Sequence, residues 1–546
     1  MRISFRLLQS STQQIFRDLK IPVFEAGQPE YERLIATSNR LFRFSRPDCV
    51  VQPETADHVR NIIKEARSKN LDLTIKCNGH SYAGHSTAFK GVSLDLRRMN
   101  QVKLDMGSTT KIVTMDAGCQ WGHVYGTLIN GGHDGFIING GRCPTVGVSG
   151  FILGGGLSPF TRSFGMGCDT LAEATMVTAD GDLVTVGETD DPRSKEGRLF
   201  WALRGAGGGN FGVVVQMKLK VKKLQNRFRT VVAGRYQWFP EGGFSDKVIA
   251  TMNDFYTATW PNNITIDSTW MCDLRNGNSS DGIRFTMAFD GTKSKYESVI
   301  DEHIQHEDLN VQLKRRALPE KSTRFLYETL VNQWLEETER AYPTNKSYEL
   351  YSSFIFKNDS RETIEKVTGI IRDLMAEFRR IFPGEQVNFL VTWIHSGGKA
   401  TEKKPTESAF FWREAVFHTY ITIEWMDKWM ERDMRRFLAK TKKKLRPLSL
   451  NGEAAFVNFP DRDFPAKFYE RAYFGDNCDE LRRVKEIWDK DNFFKFAQGV
   501  RRPGDPAEDA DDIDEELKTD KLANEQWEHY RTSNVTKDLQ QMAQWF

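Results

Sequence analysis

The chain has 546 residues, more than one hydrophobic core usually organises, so two or three domains are expected. Its 76 Lys and Arg nearly balance its 74 Asp and Glu, and the net charge of +2 gives no reason to expect nucleic acid or an acidic membrane surface as a partner. No apolar run approaches the roughly 20 residues of a membrane span. The seven cysteines are widely spread and form neither a disulfide framework nor a metal-binding pattern.

The amino-terminal segment, residues 1–40, has a mixed pattern that predicts only a helical or irregular arm. Arg6 interrupts its first apolar residues and the chain then turns polar, so the segment lacks the apolar centre of a secretory signal. A cytoplasmic location is therefore expected.

A strand, helix, strand unit follows from residue 47. Residues 47–53 are typical of a short strand, and apolar residues at helical spacing from Val59 to Ala66 predict an amphipathic helix. Alternation over residues 71–75 predicts the second strand, which leads into a turn of small residues at 76–84. The backbone N–H groups of such a turn suit an anion such as a pyrophosphate.

A second turn-like stretch, residues 139–162, packs seven glycines around Cys143. Glycine lets the backbone approach a flat or phosphorylated ligand closely. Val146, Val148 and Ile152 interleave apolar side chains that a solvated linker would not carry. The pattern favours a buried ligand-binding loop, with the cysteine placed against the ligand.

A third glycine loop, residues 205–212, satisfies the spacing GxGxxG but precedes a strand at 213–220. The dinucleotide-binding fingerprint requires the loop to follow a strand and open a helix, so a Rossmann fold is excluded. Further strands are predicted at 92–96, 112–116, 172–177 and 183–186, with a helix near 121–130. His80 and His85 lack a Glu or Cys partner at ligand spacing, so no metal site is predicted.

Residues 224–452 alternate aromatic-rich strands with long helices, which predicts an α+β domain with an antiparallel sheet backed by helices. Strands are predicted at 228–239, 264–274, 283–289, 387–395 and 416–425, and helices near 299–305, 361–378 and 428–442. In the last strand the polar residues alternate onto one face, which is either solvent-facing or substrate-facing. These residues are His418, Tyr420, Thr422 and Glu424.

Residues 453–500 return to a compact, motif-dense pattern, and residues 501–546 form an acidic linker and tail whose final aromatic residues could dock as a helix.

Five of these stretches, taken together and in this order, resemble the berberine bridge enzyme-like FAD-linked oxidases, which share the vanillyl-alcohol oxidase flavoprotein fold. They are residues 78–84, 141–156, 205–212, 457–477 and 484–494. The resemblance covers about residues 40–500. It implies an FAD-binding domain at 41–223, a substrate-binding domain at 224–452 and a return to the FAD-binding domain at 453–500.

The resemblance also implies a flavin held by two covalent bonds, with His80 bonded to the 8α methyl carbon of the ring and Cys143 to carbon 6. An imidazole and a thiolate are both nucleophiles that can add to an electron-poor flavin ring. Val146 matches oxidase members and is consistent with oxygen access. The residues that the resemblance assigns to the cofactor are Lys76, Asn78, Gly79, His80, Ser81, Tyr82, Gly84, Cys143, Val146, Gly147, Val148, Gly150, Gly154, Gly208, Asn210, Gly212, Asn458 and Asn492.

Some positions depart from the family pattern. The family commonly has Arg at Lys76, Gly at Asn78 and His at Phe151, and many members have Tyr at Phe459. Phe459 cannot take a proton, so the catalytic base must lie elsewhere. His418 is the first candidate because its ordinary pKa is near neutrality, and Tyr420 is the second. The predicted substrate pocket contains Trp393, His395, Trp412, Phe456 and Phe459.

The expected function is that of an FAD oxidase that acts on an alcohol or phenolic specialised metabolite, including by oxidative cyclisation. The base removes a proton, hydride moves from carbon to flavin nitrogen 5, and oxygen is reduced to hydrogen peroxide. One alternative is a carbohydrate oxidase that forms a lactone, and another is a flavin-binding module without turnover. The expected partners are a small-molecule substrate and oxygen, with no nucleic acid or membrane; the oligomeric state is left open.

Overall fold

The computed structural model describes residues 12–275, 279–340 and 347–507. Its strands, in chain order, are β1 (Val23–Phe24), β2 (Cys49–Val51), β3 (Leu73–Lys76), β4 (Val92–Asp95), β5 (Val102–Asp105), β6 (Ile112–Asp116), β7 (Phe136–Ile137), β8 (Leu171–Val177), β9 (Leu183–Gly187), β10 (Val213–Lys220), β11 (Lys222–Lys223), β12 (Thr230–Trp238), β13 (Ile264–Asp273), β14 (Gly282–Phe289), β15 (Ala317–Lys321), β16 (Tyr348–Phe356), β17 (Val387–His395) and β18 (Phe417–Trp425).

Residues 12–18 are helical. The α-helices that follow are α1 (Pro29–Ile35), α2 (Ala56–Ser68), α3 (Trp121–Asn130), α4 (Val148–Leu153), α5 (Thr161–Phe164), α6 (Lys195–Ala202), α7 (Asp246–Thr257), α8 (Lys293–His303), α9 (Glu307–Arg316), α10 (Ser322–Arg324), α11 (Leu330–Gln333), α12 (Leu335–Arg340), α13 (Arg361–Ile381), α14 (Glu431–Leu445), α15 (Tyr469–Phe474) and α16 (Cys478–Trp488), with a π-helical turn at Phe325–Thr329. Short 3₁₀ turns lie at Arg40–Phe42, Leu96–Arg98, Gly167–Thr170, Gly398–Glu402, Pro405–Glu407, Lys428–Met430, Arg446–Leu448, Leu450–Gly452 and Gly475–Asn477.

The first sheet has the order β1-β2-β4-β3, in which β2, β4 and β3 are parallel and α2 crosses between β2 and β3. The predicted strand, helix, strand unit is therefore confirmed. Val23 of β1 pairs with Val51 of β2, so part of the predicted arm belongs to this sheet. The mixed pattern concealed this strand because β1 is only two residues long.

The second sheet is antiparallel with the order β5-β6-β10-β8-β9. The predicted hairpin joins β8 to β9, and Gly181 in its turn has a φ of +80°, a conformation that glycine adopts without strain. The predicted strand after the third glycine loop is β10, which pairs with β6 and β8 at the centre of this sheet.

The third sheet is antiparallel and has seven strands in the order β15-β12-β14-β13-β17-β18-β16. One face packs on α7, α13 and α14 in a core of its own, and the other face joins the core of the two amino-terminal sheets. Every residue of β16, β17 and β18 is buried, because both faces of these three strands are covered. This arrangement confirms the predicted α+β architecture with two domains.

Hydrogen bonds join residues of the segment 453–500 to the amino-terminal glycine loops. Asn210 in the third glycine loop accepts a hydrogen bond from the Val500 N–H at 2.8 Å, and its carbonyl accepts one from Lys485 Nζ at 2.7 Å. Asn458 Nδ2 donates to the Phe151 carbonyl at 2.9 Å. Most of the predicted acidic tail, residues 508–546, lies outside the described residues. Within residues 12–275, 279–340 and 347–507, no helix is long and apolar enough to cross a bilayer.

Candidate active site

A cavity of about 310 Å³ lies between the third sheet and the amino-terminal domain. All three glycine loops line it, together with Ile394, Tyr420 and residues 456–460. Its volume is in the range of small-molecule and cofactor sites, which are usually concave and mostly apolar. The three loops, far apart in sequence, therefore form one site.

His80 lies in the turn that follows β3 and lines this cavity. Burial lowers the pKa of its imidazole to about 4, although a hydrogen bond with the backbone of Thr145 acts in the opposite direction. The ring is therefore neutral near pH 7 and keeps a nucleophilic nitrogen lone pair.

Cys143 lines the same cavity from the second glycine loop. Its Sγ lies 3.2 Å from Thr145 Oγ1 and 3.6 Å from Thr338 Oγ1, and burial raises the pKa of the thiol. Thr145 thus contacts both nucleophiles, through its backbone at His80 and through its hydroxyl at Cys143. His80 and Cys143 also line a second, smaller cavity of about 50 Å³.

The glycine loops leave open space beside their backbones that a flat cofactor can occupy. A Cβ added at Gly150 would meet no atom within 4 Å, and one at Gly208 would come no closer than 3.6 Å to a side chain. Gly147 is different, since a Cβ there would lie 2.3 Å from Cys77 Sγ. The residues present therefore fit FAD: open backbone at the cavity wall, close packing behind it, and two nucleophilic side chains.

Thirteen of the residues assigned to the cofactor line the cavity: Asn78, Gly79, His80, Ser81, Tyr82, Cys143, Val146, Gly147, Gly150, Gly208, Asn210, Gly212 and Asn458. The remaining five, Lys76, Gly84, Val148, Gly154 and Asn492, do not line it.

Three of these five support the wall from behind. Lys76 Nζ donates to the Leu34 carbonyl at 2.8 Å, and a Cβ at Gly154 would lie 2.0 Å from Asn458 Oδ1. Val148 is fully buried in the amino-terminal core.

Tyr420 brings a phenol to the cavity wall. Its hydroxyl donates to Glu337 Oε1 at 3.3 Å, and its ring centroid is 4.5 Å from that of Phe459. Tyr82 lies 5.8 Å from Phe459 and stacks on Tyr351 at 3.9 Å. These rings give the cavity flat apolar surfaces beside one acid–base pair.

His418 lies on the same sheet face as Tyr420, as the alternation predicts, but it is not among the residues that line the cavity. Its Nδ1 is 2.8 Å from Ser396 Oγ, and its ring packs against Phe410 and Phe456. Burial lowers the pKa of the imidazole to about 3, and Nε2 has no hydrogen-bond partner among the described residues.

Of the predicted substrate pocket, Phe456 and Phe459 line the cavity, whereas Trp393, His395 and Trp412 do not. Trp393 stacks on Tyr256 at 4.2 Å in the core behind the sheet. His395 Nδ1 accepts from the Ile266 N–H, and Trp412 Nε1 donates to the Ala472 carbonyl at 2.8 Å. The predicted contact of these three residues with a substrate therefore has no geometric support.

Sequence reasoning missed a charged cluster beside the cavity, formed by Glu337 and Arg340 of α12, Glu349 of β16 and Glu424 of β18. Arg340 lies between two carboxylates, 3.0 Å from Glu337 and 3.1 Å from Glu424. Glu349 accepts from the Tyr351 hydroxyl at 2.6 Å. Only the polar face of β18, with Glu424 on it, pointed to this cluster.

Sequence reasoning also missed other residues of the cavity wall: Cys77, Arg142, Trp334, Phe494, Phe496 and Gln498.

Two family matches cover the parts of the chain that build this site. Residues 47–187 match the FAD binding domain family, and residues 455–501 match the berberine and berberine-like family. The fold and the site define an FAD-linked oxidoreductase. The family matches and the relatives of this chain are berberine bridge enzyme-like FAD-linked oxidases, which confirms the resemblance seen in its motifs.

Individual relatives support this placement over most of the chain. An FAD-linked oxidoreductase of Bacillus subtilis is 26% identical over 471 residues, which cover 83% of this chain and 91% of that protein. Berberine bridge enzyme from Eschscholzia californica shares the fold with a TM-score of 0.76 at 18% identity, over 91% of this chain and 100% of that one. A glucooligosaccharide oxidase from Acremonium strictum also shares the fold, with a TM-score of 0.74 at 17% identity, over 90% of this chain and 98% of that one.

Proposed function

We propose that this enzyme is an oxidase with FAD bonded to both His80 and Cys143, and that it oxidises a hydroxyl group of an aromatic small molecule, with oxygen reduced to hydrogen peroxide. The observation that carries the proposal is that the two nucleophiles line one cavity together with Tyr420 and Phe459. FAD, when bound there, supplies a two-electron acceptor.

The glycine loops hold the cofactor in this proposal, and the residues opposite hold the substrate. The open backbone at Gly150 and Gly208 admits a flat ring system, and His80 and Cys143 fix its position. Phe456 and Phe459 orient an aromatic substrate, because offset and edge-to-face ring pairs are favoured over random contact.

Tyr420 is the better supported of the two predicted bases. It lines the cavity with a hydroxyl group that is hydrogen bonded to a carboxylate, whereas His418 lies behind Phe456. The low pKa of His418 makes it a weak proton acceptor at neutral pH, since general bases work best when their pKa is near the working pH.

A carbohydrate oxidase is the second candidate. The fold shared with the glucooligosaccharide oxidase favours it, and the rings of Tyr82 and Phe459 would also suit the flat face of a sugar. In that case the product would be a lactone formed from an anomeric hydroxyl.

Peroxide release separates these proposals. The holoenzyme is incubated in air with 4-hydroxybenzyl alcohol or with cellobiose, and peroxide and product are quantified together. We expect one peroxide per aldehyde formed from 4-hydroxybenzyl alcohol. Lactone from cellobiose alone would support the carbohydrate oxidase, and flavin reduction without peroxide would contradict the use of oxygen. No flavin reduction by either compound would favour the binding module without turnover.

A further inference from the structure

Glu337 is the carboxylate of the charged cluster that lies nearest to the candidate reaction site. It lines both the 310 Å³ cavity and the 50 Å³ cavity, and its side chain is 11% exposed. Its Oε1 accepts the hydrogen bond that the Tyr420 hydroxyl donates. No other carboxylate side chain of the described residues lines the larger cavity.

We propose that Glu337 is the proton acceptor of the oxidation, and that it receives the substrate's hydroxyl proton through the hydroxyl group of Tyr420. This inference rests on the proposed function, because it assigns the proton transfer in that same reaction. It places the acid–base function on α12, which the sequence had not marked as part of the site.

Tyr420 alone cannot hold the proton. Burial, and then the charge of Glu337, raises the pKa of its phenol well above the usual value, so the hydroxyl is neutral at working pH. A neutral phenol accepts a proton usefully only if it releases its own at the same time. The hydrogen bond to Glu337 provides that release.

The transfer balances in atoms and electrons. The substrate O–H bond breaks and its proton passes to the Tyr420 oxygen, while the Tyr420 O–H bond breaks and its proton passes to Glu337 Oε1. FAD held by His80 and Cys143 would supply the acceptor for the two electrons of the adjacent C–H bond, with oxygen as the final oxidant under the proposed function. Glu337 ends as a neutral carboxylic acid.

Arg340 pairs with Glu337 at the cavity wall, with Nη1 3.0 Å from Glu337 Oε1. The other titratable groups that face Glu337 come from three elements: Tyr82 and Cys143 from the glycine loops, and Glu349 and Tyr351 from β16. Of these only Glu349 adds a second carboxylate.

The smaller cavity offers the proton a way out. Glu337, Arg340, Glu349 and Tyr351 all line it, and 50 Å³ is several times the space that one water requires. A water in this cavity could take the proton from Glu337 without crossing the larger cavity, which the substrate and flavin fill.

Stopped-flow reduction of the holoenzyme by 4-hydroxybenzyl alcohol, without oxygen, tests the proposal across pH 5–9. In Glu337→Gln the amide still accepts the Tyr420 hydrogen bond but holds no proton. We expect the reduction rate per bound flavin to fall by about 10²-fold or more. Glu337→Asp should recover part of the rate. Glu339→Gln, an exposed neutralisation on the same helix, should behave as the wild type.

Tyr420→Phe provides a second variant in case Glu337→Gln folds poorly. If the two side chains form one relay, the double variant should be no slower than the slower single variant, because either break stops the same transfer. Wild-type rates in Glu337→Gln, or losses that multiply in the double variant, would overturn the proposal. A wild-type enzyme that 4-hydroxybenzyl alcohol does not reduce would instead contradict the proposed function.

Discussion

At the scale of single residues, Thr145 joins the two nucleophiles that would hold the flavin. Its backbone bonds to His80 and its hydroxyl lies 3.2 Å from Cys143, so one turn of chain fixes both side chains at the cavity. His80 and Cys143 could be predicted because their glycine-rich contexts are specific. Glu337 could not be predicted. Its contact with Tyr420 joins residues far apart in the sequence, and its nearby contact with Arg340 is not apparent from the sequence.

The alternation in β18 predicted the direction of His418 but not its depth. Residues 418 and 420 share a face, as expected for a strand. Phe410 and Phe456 come from segments outside this strand. They cover His418 and leave Tyr420 open to the cavity. Periodicity carries no information about which end of a strand such segments cover.

Glu349 should make stability depend on pH. Burial, and then the charge of Glu424, raises the pKa of Glu349 to about 7. The folded chain therefore holds this proton more tightly than the unfolded chain, so stability is fully present below the unfolded pKa and is lost as the pH rises through about 7. Arg340, Glu337, Tyr351 and Glu424 are the neighbouring titratable groups.

Thermal unfolding of wild type and Glu349→Gln between pH 5 and pH 8 checks this expectation. The amide that replaces Glu349 does not titrate. The wild-type Tm should therefore fall relative to that of the variant as pH rises. The corresponding loss of unfolding free energy is on the order of 1–3 kcal/mol. Parallel Tm curves for the two proteins would contradict it.

At the scale of elements, the glycine loops pack closely on the protein at some positions and leave space for a cofactor at others. The sequence predicted these loops well, because glycine density and interleaved valines are local signals. It also predicted β17 to the residue, and β12, β13, β14 and β18 within two residues at each end. It missed β15 and β16 entirely, and the buried positions of β16 include Glu349, Ser352 and Ser353, whose polarity conceals a buried strand.

Gly150 offers a test of the cradle. A methyl group there meets no protein atom within 4 Å, so Gly150→Ala should fold with an unchanged or slightly higher Tm as the apoprotein. The same methyl group lies beside the cavity, so we expect a several-fold lower flavin content after expression.

Gly126→Ala is the matched control, since Gly126 lies within α3 and a Cβ there also meets no atom within 4 Å. It should retain full flavin content, as measured by absorbance at 450 nm per protein. Equal flavin content in both variants would show that the space beside Gly150 does not hold the cofactor.

At the scale of the whole molecule, a buried ion pair joins the segment between β17 and β18 to the amino-terminal domain. Arg413, between β17 and β18, makes two bonds to Asp169 of the amino-terminal domain at 2.8 and 2.9 Å, and both side chains are at most 3% exposed. Such pairing could not be predicted from the sequence, because the partners are 244 positions apart.

Arg413→Ala should destabilise the protein by about 3–5 kcal/mol, because it leaves the Asp169 carboxylate buried without its partner. Arg361→Ala is the control, since its pair with Asp254 is more than half exposed on both sides and such pairs contribute about 1 kcal/mol or less. Denaturant unfolding of the two variants should therefore differ clearly, and equal losses would contradict a role for the buried pair.

The central claim is that one flavin is bonded to both His80 and Cys143. Peptide mass spectrometry of the acid-denatured, proteolysed holoenzyme tests it most directly. We expect a flavin-containing species that joins the His80 peptide to the Cys143 peptide, a single bond to the remaining residue in His80→Ala or Cys143→Ala, and no bound flavin in the double variant. Release of free FAD from the wild type, with both peptides recovered unmodified, would contradict it.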